Sequence, residues 1–64
     1  PSVLTARETE ILSLAARGQD TNGICRELTI APQTVRNHFK NIFSKLEVRS
    51  RSQAVAFALR QQMV

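Results

Sequence analysis

A chain of 64 residues holds a single domain, which at that size hides only about 60% of the surface exposed by its unfolded form and has little core to spare. Its 42% hydrophobic content, two glycines and two prolines exclude a disordered tail, and its one cysteine and one histidine exclude an internal disulfide and a closed structural zinc site. The formal net charge of +4 is uneven: residues 1–32 carry three basic side chains against four acids, residues 33–64 six against Glu47 alone, which favours a polyanion such as nucleic acid or an anionic membrane surface.

Four helices are predicted and no strand is needed, an all-α class. The first opens at Thr5, whose hydroxyl can accept from the N–H of Glu8 while Glu8 reaches back, a capping box. Ile11, Leu12, Leu14 and Ala15 follow at helical spacing, Arg17 suits the carboxyl end, and Gly18 can take the left-handed conformation that closes a helix. Asp20 caps a shorter second helix through Leu28, with Ile24, Cys25 and Leu28 inward. Gly23 within it costs up to ~1 kcal/mol relative to alanine, so this helix depends on packing. A tight connection over Thr29 to Ala31 leads to Pro32, well suited as the first residue of a third helix running to about Leu46. Ser50 with Gln53 is a second capping-box pair, opening a fourth helix that continues to the last residues.

At about 100° per residue the third helix divides into two halves. Val35, Phe39, Ile42, Phe43 and Leu46 fall on one side. Gln33, Thr34, Arg36, Asn37, Lys40, Asn41, Ser44 and Lys45 fall on the other, with His38 at the border. The polar half contains no acid, whereas solvated helix faces usually mix both signs at i,i+4. Arg and Lys pair with guanine O6 and N7, and Asn with adenine N6 and N7. A short helix, a tight turn and a longer helix with a free polar face is the geometry of a helix-turn-helix, whose second helix enters the major groove.

The stretches "LTARETEILSLAARGQD" and "ICRELTIAPQTVRNHFKNIFSKLEVRSRSQAV" also resemble a family, the LuxR/NarL-type, FixJ-like DNA-binding domain of bacterial transcription regulators. The likeness runs from Leu4 to about Ala58 and rests on the "LTxRExEIL" opening, the "TVRNH" core and the "KLxVxxRxxAV" close. The resemblance implies a four-helix domain over residues 1–64, the carboxyl-terminal part of a longer regulator, as the absence of a methionine before Pro1 also suggests. It implies dimeric binding to double-stranded promoter DNA in the cytoplasm, possible contact with RNA polymerase, and control by a sensory domain outside this chain. A receiver of a two-component response regulator and a small-molecule domain of the quorum-sensing kind are both compatible. By position, Arg36, Asn37 and Lys40 are implied to read bases. Thr34, Asn41, Lys45 and Arg51 match positions that approach phosphates, and Thr21, Asn22, Gln33 and Ser44 are further candidates for the DNA backbone.

Three departures from the family pattern bear on that expectation. Asp20-Thr21-Asn22-Gly23 replaces Ser-Asn-Lys-Glu, which removes a phosphate-anchoring lysine. Thr29 replaces the turn glycine and must either avoid positive φ or tolerate strain. Ala31 replaces a Ser or Thr cap, a loss of ~1 kcal/mol. Cys25 reads as a small buried hydrophobe rather than a redox-sensitive thiol. His38 reads as a packing or hydrogen-bonding residue, with a phosphate contact as the alternative.

In the fourth helix Val55, Leu59 and Met63 form one stripe, Phe57 and Val64 lie nearly opposite, and Ala54, Ala56 and Ala58 lie between. A helix apolar all round is buried on more than one side. The expectation is a homodimer through this helix, with Ala54, Phe57 and Ala58 at the contact, aligning two recognition helices on half-sites about one helical turn apart. No paired carboxylates, phosphate-cradling glycine loop or activated nucleophile supports an enzyme, and neither a cofactor nor a metal is expected. No apolar run approaches the ~20 residues of a membrane span. The alternatives are a sigma-factor promoter-recognition region and a helical protein-interaction module; a membrane-surface helix is disfavoured by the lack of Trp and Tyr.

Overall fold

The computed structural model describes residues 3–61, in which four helices follow in order: α1 (Ala6–Ala16), α2 (Thr21–Leu28), α3 (Pro32–Leu46) and α4 (Arg51–Arg60). Local chemistry sets most boundaries. Thr5 Oγ1 accepts from the Glu8 N–H at 3.1 Å and Glu8 Oε1 accepts from the Thr5 N–H at 2.9 Å, so the capping box is complete. At the other end of α1, Gly18 takes φ +96°. The N–H groups of Gly18 and Gln19 bond back to the carbonyls of Ala15 and Leu14 at 3.0 and 3.1 Å, a Schellman stop. Asp20 Oδ1 accepts from the Gly23 N–H at 2.8 Å to start α2.

Two boundaries run against local preference. Thr29 closes α2 at φ 56°, ψ 51°, and Glu47 closes α3 at φ 56°, ψ 43°, both left-handed and neither glycine. Of the two options open for Thr29, the chain adopts the strained one. The α3 start has no side-chain cap at Ala31 and relies on Pro32. At α4 only half of the expected capping box forms. Ser50 Oγ accepts from the Gln53 N–H at 3.2 Å, but Gln53 Oε1 accepts from Arg49, at 2.6 Å, rather than from Ser50. The helix ends at Arg60; its expected continuation through Met63 and Val64 lies outside the described residues.

Leu4, Ile11, Leu12, Ala15, Ile24, Val35, Phe39, Ile42, Ala54 and Ala58 form one buried core, against which Leu14, Cys25, Leu28, Ile30, Phe43, Leu46, Val48 and Val55 pack. Helix α1 touches all three others, and α3 lies against both α2 and α4. Fully burying an Ile such as Ile24 contributes about 1.5–3 kcal/mol, more than the ~1 kcal/mol that Gly23 costs the helix. Packing therefore makes α2.

The fourth helix corrects the expected dimer contact. Ala54 and Ala58 are fully buried in the domain's own core, because their small side chains let the α4 backbone approach its neighbours, so neither is available to a second subunit. Val55 also packs inward, Phe57 is half-buried, and Ala56 and Leu59 are exposed.

The left-handed position at Thr29 predicts that Thr29→Gly stabilises the domain. Relief of about 1–2 kcal/mol of steric cost exceeds the ~0.5–1 kcal/mol of added chain freedom. Thermal unfolding followed by circular dichroism should show a Tm rise of a few degrees; an unchanged or lower Tm would mean that the threonine side chain offsets its own strain.

Candidate nucleic-acid interface

Helix α3 is held at a defined rotation because Val35, Phe39 and Ile42 are buried on one side. That packing turns Gln33, Arg36, Asn37, Lys40, Asn41 and Ser44 outward, all exposed, with Thr34 and His38 half-buried at the margins. The face carries no acid. Among the described residues neither Arg36 nor Lys40 has an ion-pair partner. The side chains of the first turns are joined: Arg36 Nη2 donates to Gln33 Oε1 at 3.2 Å, and Gln33 Nε2 donates to Asn37 Oδ1 at 2.9 Å. Gln33, expected at a phosphate, is thus engaged along the helix at both ends of its amide.

Two cross-element contacts flank this face. Lys45 Nζ donates to Glu8 Oε1 at 2.7 Å, tying the last turn of α3 to the first turn of α1. Glu8 is only 4% exposed. Burial pushes its carboxyl pKa up, but hydrogen bonds from Lys45 and Thr5 together with the ammonium charge outweigh burial and hold it below the usual glutamate range. Lys45, expected at a phosphate, has one of its three Nζ hydrogens committed to this pair. On another side, Arg51 Nη2 donates to Thr21 Oγ1 at 3.0 Å while the guanidinium lies 4.1 Å from the centroid of the Phe39 ring, a cation–π distance. Arg51 thereby joins the starts of α4 and α2 to the buried side of α3, and Asn22 is exposed one residue after Thr21.

The positions of Arg36, Asn37, Lys40, Asn41 and Ser44 follow from the helical period. Those of Glu8 and Phe39 as partners do not: Glu8 reads as a complete capping-box residue, and 37 residues separate it from Lys45. Cys25 is half-buried against the core. Among the described residues no group of His, Cys, Asp or Glu is placed to hold a metal ion, and no helix is long and apolar enough to cross a membrane.

Comparison with known proteins agrees with this architecture. Residues 2–58 match the model of the family described as bacterial regulatory proteins, luxR family. The chain is 45% identical over 62 residues to the probable transcriptional regulatory protein NarL of Mycobacterium tuberculosis, a match covering 97% of this chain and 29% of that protein. It is 48% identical over 61 residues to the transcriptional regulatory protein LiaR of Bacillus subtilis, covering 95% and 29%. The chain thus spans less than a third of these relatives' length. Among solved structures, the transcription factor GerE superposes with a TM-score of 0.88 at 44% identity, covering 98% of this chain and 94% of that one. The response regulator ChrA of a heme-sensing two-component system superposes with a TM-score of 0.89 at 34% identity, covering 100% and 32%.

The Glu8–Lys45 pair predicts an acid-sensitive fold. Because the native carboxyl pKa lies below its unfolded value, the stabilisation is complete above the ordinary carboxyl range and is lost as pH falls through the native pKa. Glu8→Gln should lower stability by about 1–2 kcal/mol at neutral pH and flatten the acid limb of a urea-denaturation series. An unchanged acid limb would mean that other carboxylates govern it.

Proposed function

The chain belongs to the luxR family of bacterial regulatory proteins, and from that premise we propose that it binds double-stranded promoter DNA in a sequence-specific manner, with α3 in the major groove. The observation that carries this reading is the acid-free polar face of α3, turned outward by three buried residues on its other side. An α-helix fits the width of the major groove, and Arg36, Asn37 and Lys40 bring the side-chain types that pair with base edges there. Thr21, Asn22, Thr34, Asn41, Ser44 and Arg51 are assigned to the DNA backbone. Lys45 would contribute through the Nζ hydrogens that Glu8 leaves, and Gln33 from a side chain already engaged with its neighbours. No chemical step is assigned to the chain, and a DNA partner implies a cytoplasmic setting.

The names of the relatives, transcriptional regulatory proteins and a response regulator, support a wider arrangement in which this domain is one module of a signal-responsive transcription regulator; contact with RNA polymerase belongs to the same proposal. A homodimer through the fourth helix would use its outward side, where Leu59 is 55% exposed with Ala56 one turn before it, rather than the buried Ala54 and Ala58. Two such domains would present α3 to half-sites about one helical turn apart.

Selection of bound sequences from randomised duplexes, followed by titration at two salt concentrations, tests the reading. Affinity should fall steeply with salt as phosphate counterions are released. Arg36→Ala should cost about 1–3 kcal/mol and relax preference at one base pair, while Arg51→Ala should weaken specific and random duplexes alike. Equal losses for both variants on both kinds of duplex would remove the division of roles, and salt-independent or absent binding would leave a protein-interaction module. Leu59→Asp should abolish cooperative occupancy of paired half-sites; unchanged cooperativity would take α4 out of the dimer contact.

A further inference from the structure

The side-chain chain Arg36–Gln33–Asn37 has a direction that its chemistry dictates. A guanidinium can only donate, so the Gln33 atom facing Arg36 must be the carbonyl oxygen, as its 3.2 Å contact has it. The amide nitrogen of Gln33 then faces Asn37, and because that nitrogen only donates, the Asn37 atom opposite it must be Oδ1, at 2.9 Å. The orientation of both amides therefore follows from one positive charge. Asn37 Nδ2 and the other guanidinium nitrogens of Arg36 have no hydrogen-bond partner among the described residues. The exposed start of α3 thus presents donors.

We infer that Gln33 is a positioning residue for base specificity: by engaging Asn37 Oδ1 it turns the Asn37 amide hydrogens outward and makes that residue select a keto base, guanine or thymine, over an amino base. This rests on the proposal that α3 reads the major groove. Asparagine ordinarily reads adenine bidentately, accepting from N6 through Oδ1 and donating to N7 through Nδ2. With one Oδ1 lone pair bound to Gln33, the fully available half of that pair is the donor, which finds two acceptors on guanine, O6 and N7, and O4 on thymine, but only N7 on adenine, where N6 is itself a donor, and none on cytosine. Because each bond in the series points the same way, the members polarise one another cooperatively, and Arg36 holds the relay in place while itself donating to a neighbouring base.

The decisive substitution is Gln33→Glu. A carboxylate still accepts from Arg36 but has no hydrogen to give, so Asn37 must turn its Nδ2 toward residue 33 and its Oδ1 outward, where it accepts from adenine N6 or cytosine N4. Gln33→Ala removes the constraint and permits the ordinary adenine pair. Position 33 is exposed, so both variants should keep the helical circular-dichroism spectrum. The 64-residue wild-type chain, the two position-33 variants, Arg36→Ala and Asn37→Ala are carried through selection from a randomised duplex pool. The two alanine variants of the readers identify the base pairs that depend on Arg36 and Asn37 and so set register and strand. At the Asn37-dependent position the wild type should enrich a keto base, and Gln33→Glu should invert that preference to an amino base by about tenfold, within what one bidentate pair discriminates. Gln33→Ala should relax the preference toward adenine. A Gln33→Glu chain that still enriches a keto base there overturns the relay while leaving DNA reading intact. A position-33 effect confined to overall affinity, with the base preference unmoved, overturns it equally. A wild-type chain that enriches no motif overturns base reading by α3, and the role of Gln33 falls with it.

Discussion

One buried carboxylate joins the beginning of the fold to the end of its exposed helix. Glu8 closes the capping box of α1 through Thr5 and accepts from Lys45 in the last turn of α3. Leaving such a group buried without partners would cost several kcal/mol, so the first turn of α1 and the last turn of α3 are constrained to meet. The same contact draws charge away from the polar face of α3. Lys45 lies on the polar half of α3 by angle, yet its side chain is only 34% exposed and spends a hydrogen bond inside the domain. The +5 balance of residues 33–64 therefore overstates the positive field available to a polyanion.

The rest of the core works to the same end, fixing how α3 is turned. Val35, Phe39 and Ile42 are inserted between α1, α2 and α4, and a rotation of the helix would expose them. Phe39 serves twice: its buried ring is also the surface on which Arg51 lies. Through Arg51 and Thr21 the starts of α2 and α4 are held together at one margin of α3. The groups assigned to phosphates at that margin are thus ordered before any ligand arrives, which lowers the entropy cost of binding.

The small size of the domain shows in what it tolerates. Thr29 and Glu47 both sit in left-handed conformations without glycine, and Ala31 leaves α3 without a side-chain cap. Each concession costs of the order of 1 kcal/mol, a sizeable fraction of a small domain's stability. Burial of Ile11, Leu12, Ile24, Val35 and Ile42 offsets them, at about 1.5–3 kcal/mol for each side chain. The strained turn at Thr29 joins α2 to α3 within the helix-turn-helix, and the one at Glu47 turns the chain from α3 toward α4, so geometry prevails over local propensity.

Much of this is decided within a few residues of chain and was legible as such. Thr5, Gly18, Asp20 and Ser50 mark helix ends by hydrogen bonds to neighbours three residues away, Pro32 marks one by its fixed φ, and the two faces of α3 follow from the 3.6-residue period. The spacing of Gln33, Arg36 and Asn37 likewise brings the relay within reach along one helix. Tertiary structure decided what depends on long separations. It buried Ala54 and Ala58, which lie between the apolar stripes of α4, because small side chains allow close helix approach, and it split one stripe by packing Val55 inward and leaving Leu59 outside. It gave Lys45 a carboxylate 37 residues away and Arg51 an aromatic ring. Neither partner is encoded in periodicity, since a period states which way a side chain points from its own axis and not which helix stands opposite it.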